Sequence, residues 1–185
     1  MALNKQDLIN GFCKAGINKG DEIEVHSSLS SFGYVDGGAE TVISALKETV
    51  GDNGSIFMPA LRLSPELPLT EEDKKAGITS KIKILPENRM HSAMGIIADT
   101  FRMMPDTVTG DGIFAVSGWG RTANEAGEPP VKQWYSIQAQ AYEKRLIREG
   151  YIGSCKYMCF GIWDVVGLYR QALETDPPGL YGLRL

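Results

Sequence analysis

The sequence predicts an α/β fold, a sheet layered between helices on both faces, and three observations point there. Short apolar runs of strand length alternate along the chain with longer stretches whose apolar residues recur at helical spacing. Glycines and prolines punctuate the joins between the two kinds of segment. The length, 185 residues, suits one domain spanning residues 1–185 or a tightly joined pair, able to bury roughly 70% of the surface of its extended chain. No repeat or low-complexity tract competes with this reading.

Taken in order, Asn4 can cap a first helix over residues 5–14, with Leu8, Ile9 and Phe12 on one face and a stop near Gly16. GDEIEVHSS follows as a strand centred on Ile23 and Val25. A loop of serines and glycines, SLSSFGYVDGG, leads to a helix over 39–50 that carries Val42, Ile43, Leu46 and Val50 on one stripe before Gly51. GSIFMPA reads as a short buried strand ended by Pro59. The next helix spans 93–104, with Met94, Ile97, Phe101 and Met104 at helical spacing and Ser92 as its N-cap.

Between these elements, about 61–91, lie Pro65, Pro68, Pro86 and the charge-dense TEEDKK. A connection of this length inside a compact domain reads as a lid or mobile segment, and Thr70 followed by Asp73 can start one short helix within it. Beyond it, IFAVSGW reads as a strand, 132–149 as a long helix, KYMCFGI as a buried strand and 164–174 as a last helix. The tail from Thr175, with Pro177, Pro178, Gly179 and Gly182, reads as irregular.

Charge excludes one class of partner. With 19 basic and 23 acidic residues the net charge is −4, which lacks the electrostatic footprint of a nucleic-acid binder. No apolar run approaches the ~18–20 residues that cross a bilayer, and MALNKQDLINGF reads as an amphipathic helix and not as a leader. A cytoplasmic location with no membrane partner is therefore expected. The three cysteines, Cys13, Cys155 and Cys159, are too few and odd for a disulfide framework. His26 and His91 stand at no ligand spacing to them, so no metal is expected.

The stretch EVHSSLSSFGYVDGGAET carries the most chemistry. A strand ends at His26–Ser27, a loop of hydroxyls and glycines follows, and a helix begins near Gly38. A helix start offers free backbone N–H groups and a positive dipole end. Gly33, Gly37 and Gly38 let the main chain come close to a ligand, and Ser27, Ser28, Ser30 and Ser31 add hydroxyl donors. Together they suit an anion such as phosphate or pyrophosphate. Neither a Walker loop nor a GxGxxG fingerprint is present. A plain strand-to-helix turn built from small residues is an equally weighted reading of the same composition.

VHSSLSSFGYVDGGAETVISAL followed by VGDNGSIFMPAL resembles the aminoglycoside 3-N-acetyltransferase family, whose pattern is a strand ending in His-Ser-Ser-Leu, then Gly, Gly-Gly, a helix and a strand reaching Met-Pro. SAMGIIADTFRMMPDTVTGDGIFAVSGWG resembles that family's Met-Gly helix, the Phe-Arg at its end and the strand after it. The resemblance implies a three-layer α/β/α sandwich of the aminoglycoside 3-N-acetyltransferase type, truncated at the C-terminus. It implies acetyl-CoA as co-substrate with no metal, and transfer of acetyl to the amino group of an aminoglycoside-like acceptor. Carried over residue by residue, His26, Ser27, Ser28, Leu29, Ser30, Ser31 and Gly33 would lie along the carrier, with Gly37 and Gly38 at the helix start and Ser92 and Gly95 near it.

The chain also departs from the pattern. The family's late His-x-x-Glu element is matched here by GIWDVVGLYRQALE, where Tyr169 and Arg170 stand in place of the histidine. An Arg-Ser-x-His-Pro element is matched by VTGDG, with Val108 and Asp111 at the Arg and His places. An amine acceptor must still lose a proton, which leaves Glu174, Asp164 and His26 as candidates, His26 with positioning as its first expected role. Asp164 is also an ordinary N-cap. Lys74, Lys75, Lys81 and Lys83 can reach a 3′-phosphate from the long loop, and Asp111, Glu125, Glu128, Asp164 and Glu174 are the carboxylates available to a polycationic acceptor. The rival readings are a catalytically degenerate relative that still binds CoA or a nucleotide, and an interaction protein whose 132–149 helix makes a homo-oligomer interface.

Overall fold

The computed structural model describes residues 2–125 and 134–175. The chain falls into two compact units, Met1–Pro129 and Pro130–Leu185. In the first unit, helix α1 (Lys5–Ala15) opens on a reciprocal cap. The Asn4 side-chain oxygen accepts from the Asp7 N–H at 3.0 Å, and the Asp7 carboxylate accepts from the Asn4 N–H at 3.0 Å. Strand β1 (Glu22–Glu24), helix α2 (Gly38–Val50) and strand β2 (Ser55–Pro59) follow. Because β1 and β2 run parallel, with Ile23 paired to Ile56, α2 is the crossover of a βαβ unit.

Helices α3 (Glu71–Lys75) and α4 (Ile96–Arg102) and strands β3 (Val108–Thr109) and β4 (Val116–Gly120) complete this unit. The sheet order is β1-β2-β4-β3, and β4 lies antiparallel to both β2 and β3. As a central strand β2 is buried at four of its five residues, which explains the apolar run IFMP after Ser55. Helix α2 packs against α1, α4 and β2, while α4 also packs on β2 and β4. Leu8, Val42, Ile43, Leu46, Val50, Ile56, Met58, Ile97 and Phe101 form the fully buried core.

The segment expected as a lid folds back on itself. Leu63 and Ile84 bridge antiparallel, Ser64 exchanges bonds with Lys83, and the Leu67 N–H donates to the Lys81 carbonyl at 2.7 Å. At its tip Thr70 and Asp73 cap α3 reciprocally, as the sequence suggested. The Thr70 N–H foremost, and Lys81 next, pull the Asp73 carboxyl down to about 2.

In the second unit, helix α5 (Trp134–Glu143) leads to strands β5 (Arg148–Ile152) and β6 (Cys155–Cys159), an antiparallel hairpin, and then to helix α6 (Ile162–Thr175). Ile137 and Ala141 of α5 cluster with Val165 and Leu168 of α6.

Several boundaries correct the sequence reading. The helix expected over 132–149 ends at Glu143, because Arg145 takes a left-handed conformation (φ 56°) and the Leu146 N–H closes onto the Ala141 carbonyl. The helix expected over 93–104 starts only at Ile96, with Gly95 and not Ser92 at the N-cap position. The strand read as IFAVSGW begins at Val116. Cys155 and Cys159, expected in a buried strand, are half-buried. Residues 126–133, holding Glu128 and the expected helix start at Lys132, and the tail 176–185 lie outside the described residues. Among the described residues no helix is long and apolar enough to cross a membrane.

Candidate functional site

The site is built where β1 runs out. The Val25 N–H still donates to the Phe57 carbonyl at 2.8 Å, after which the chain leaves the sheet at His26. Residues two apart on a strand share a face, and the His26 Nε2 sits 3.0 Å from the Glu24 carboxylate. This contact raises the imidazole pKa above its ordinary 6.5, although the side chain is 68% exposed. A folded pKa raised above the unfolded one contributes stability below about 6.5 that disappears as pH rises through the folded value; at this exposure the effect is small. An NMR titration of His26 should show a midpoint above 6.5, and Glu24→Gln should lower it. An unmoved midpoint would remove the pair from consideration.

Ser27 comes next. Its hydroxyl is buried with no hydrogen-bond partner among the described residues, a state that costs free energy unless something fills it. Ser28 and Ser30 are exposed and pair through their hydroxyls at 3.0 Å. A single 3-10 turn, Leu29–Phe32, follows, held by the Ser31 N–H on the Ser28 carbonyl and the Gly33 N–H on the Ser30 carbonyl, each at 3.2 Å. Leu29 is half-buried, while Phe32 and Val35 anchor the loop in the core. The N-terminal segment pins it from outside: the Leu3 N–H donates to the Tyr34 carbonyl and the Asp36 N–H to the Leu3 carbonyl, both at 2.9 Å.

The loop ends in two left-handed glycines, Gly37 (φ 74°) and Gly38 (φ 61°), which turn the chain into α2. A Cβ on Gly37 would collide with the Thr41 hydroxyl, so the turn itself requires glycine here. Around Gly38 the space is open, with Leu29 Cδ2 at 4.0 Å. No side chain caps the thirteen-residue α2; the Gly38 N–H donates to the Val35 carbonyl at 3.0 Å, and the amides of the first turn after it carry the positive end of the helix dipole.

The second block of sequence arrives from elsewhere in the chain. Gly95 adopts φ 86° and ψ 168°, a region essentially reserved for glycine, and a Cβ there would lie 4.0 Å from the Ser27 carbonyl oxygen. The HSSL loop and the SAMG turn therefore meet. Ser92 is buried, and its N–H and hydroxyl donate to the two carboxylate oxygens of Asp99 at 2.7 and 2.9 Å. Arg102 approaches Asp99 at 3.5 Å and donates to the Arg89 carbonyl at 2.6 Å, and Arg89 in turn donates to the Ala60 carbonyl at the end of β2. Burial and the neighbouring Arg102 push the Arg89 pKa down. The sequence reading did not single out Asp99 or Arg89. An acid seven residues after a serine carries no local signature.

His91 is exposed beside Ser92. Lys74 pairs with Glu71 at 2.7 Å and Lys81 with Asp73 at 2.9 Å, so both are engaged locally. Asp164 is the third residue of α6 and not its N-cap, and Glu174 is near the helix's other end, about 15 Å along the axis. Both are exposed, and they do not form a pair. A cleft of about 640 Å³ lies at the C-terminal end of α2, lined in part by Lys19, Gly20, Lys47, Gly51 and Trp119, and none of the predicted site residues lines it. There Lys47 lies 4.9 Å over the Trp119 ring and binds Asp106, holding that carboxyl below its usual range. Among the described residues no three His, Cys, Asp or Glu side chains are grouped to hold a metal.

Comparison with known proteins bears on the family and on the fold. A family model described as aminoglycoside 3-N-acetyltransferase matches residues 25–130. The Bacillus subtilis (strain 168) SPbeta prophage-derived aminoglycoside N(3')-acetyltransferase-like protein YokD is 28% identical over 160 residues, covering 80% of this chain and 58% of that protein. An aminoglycoside N(3)-acetyltransferase III from Salmonella sp is 51% identical over 44 residues, 24% of this chain and 15% of its own. The chain thus spans less than two thirds of the length of these relatives. Among solved structures, aminoglycoside acetyltransferase AAC(3)-IVa, apoenzyme, superposes with a TM-score of 0.73 at 17% identity, covering 97% of this chain and 92% of the other. AAC-IIIb binary with CoASH superposes at 0.70 and 13% identity, covering 94% and 97%. These last two likenesses concern the α/β fold.

Proposed function

Because the chain belongs to the aminoglycoside 3-N-acetyltransferase family, we propose that it transfers an acetyl group from acetyl-CoA to an amino group of an aminoglycoside-like acceptor. The observation that carries this reading is the approach of Gly95 to the Ser27 carbonyl, two sequence blocks meeting at a residue whose buried hydroxyl has no partner among the described residues. A carrier with a pyrophosphate and an amide-rich arm needs N–H and O–H donors and close backbone approach, and the residues present fit it. Ser27, Ser28 and Ser30 supply hydroxyls, α2 supplies amides with no side-chain cap, and Gly95 supplies bare backbone. The structure of AAC-IIIb binary with CoASH, which shares this fold, supports the choice of carrier.

The carrier supplies an acetyl group activated as a thioester. In the transfer a carbon–nitrogen bond forms, the carbon–sulfur bond breaks, and the acceptor nitrogen gives up a proton. His26, Asp164 and Glu174 are the candidates to take that proton. His26 is the one held by a carboxylate, Glu24, which fixes its orientation and leaves a neutral imidazole above its raised pKa. Thiol release with acetyl-CoA and a panel of aminoglycosides tests the reading. Turnover above background that falls on His26→Gln supports it. Saturable CoA binding without turnover would favour the degenerate relative, and no CoA binding would favour a role in interactions alone.

A further inference from the structure

We propose that Asp99 is a positioning residue for the carrier site, fixing from inside α4 the Ser92–Gly95 turn that lies against Ser27. The inference rests on the carrier-binding reading above. Asp99 is 2% exposed and gives both carboxylate oxygens to one residue, taking the Ser92 N–H and the Ser92 hydroxyl. The Ser92 oxygen then accepts the Met94 N–H at 3.1 Å, and the Ser92 carbonyl receives the Gly95 N–H at 3.5 Å. The turn is thus stitched at each step from Asp99 to Gly95, where a Cβ would lie 4.0 Å from the Ser27 carbonyl.

Arg102, bound to Asp99 on one side and to the Arg89 carbonyl on the other, joins the same carboxylate to the base of the 61–91 arm. Two buried guanidiniums and one carboxylate share this space, and the Nε atoms of Arg89 and Arg102 have no partner among the described residues. A buried charge cluster is an expensive way to stabilise a helix. Its geometry is spent on the shape of the turn: a simple counter-ion for Arg102 would not need both Ser92 donors.

The experiment uses the full chain, with CoA binding measured by calorimetry beside thermal unfolding. Ser92→Ala leaves every charge in place and removes only the hydroxyl link, so it separates positioning from charge balance. CoA affinity should fall about fivefold, the scale of one hydrogen bond. Asp99→Asn should weaken CoA at least as much, and the double variant no further than Asp99→Asn alone, since both act through one link. Asp99→Glu should recover part of the affinity. If the wild type binds CoA, and Ser92→Ala and Asp99→Asn bind it equally well while Asp99→Asn merely unfolds at lower temperature, Asp99 is a counter-ion and the inference is overturned. If the wild type binds no CoA, the carrier reading and the inference fall together.

Discussion

Truncating Phe101 to Ala should lower the unfolding free energy of the first unit by about 3–5 kcal/mol. The side chain is completely buried in α4, a helix of seven residues. An isolated helix that short has no stability of its own in water, so its existence depends on packing against α2, β2 and β4. The loss therefore includes more than the cavity. α4 also carries Asp99 and follows directly on Gly95, so binding of CoA should fail at temperatures where the first unit is otherwise folded. Urea unfolding of wild type and variant provides the measurement, and a change under about 0.5 kcal/mol, the size of an ordinary surface substitution, would show that α4 is not held by this residue.

Gly95→Ala should cost about 1–3 kcal/mol of stability and weaken CoA binding at least tenfold. The penalty comes from the backbone. At φ 86° and ψ 168° an L side chain is strained, whereas the added methyl would meet the Ser27 carbonyl at an ordinary 4.0 Å. Relief of that strain rotates the 92–95 turn away from Ser27, and the two halves of the site separate. Gly77→Ala is the matched control. It also has a positive φ, 77°, but stands at the tip of the arm with nothing within 4 Å. CoA affinity unchanged in both variants would mean that the carrier is bound somewhere other than this junction.

Features written within a few residues were legible in the sequence. The Asn4 and Asp7 cap, the apolar stripe of α2, the Thr70 and Asp73 cap and the buried run of β2 all rest on local spacing. The family was legible for the same reason, through the order of hydroxyls and glycines from His26 to Gly38. The end of α5 was not, because the left-handed residue that closes it is Arg145 and not the glycine that usually marks such an end. Serine is a common cap residue, and local spacing alone puts Ser92 in that role. Its hydroxyl instead serves Asp99, and the helix waits for Gly95.

What the amino-acid order determined alone is the alternation of strands and helices, the serine–glycine loop and the family it marks. Periodicity and capping act over one or two turns of chain, and they need no partner to be recognised. The tertiary structure decided that Ser27 meets Gly95, that Asp99 is buried against Ser92, and that Asp164 and Glu174 stand at opposite ends of one helix. Contacts between distant segments, and the burial they impose on charge and backbone, leave no periodic trace in either segment. They exist only once the sheet has set the two loops side by side.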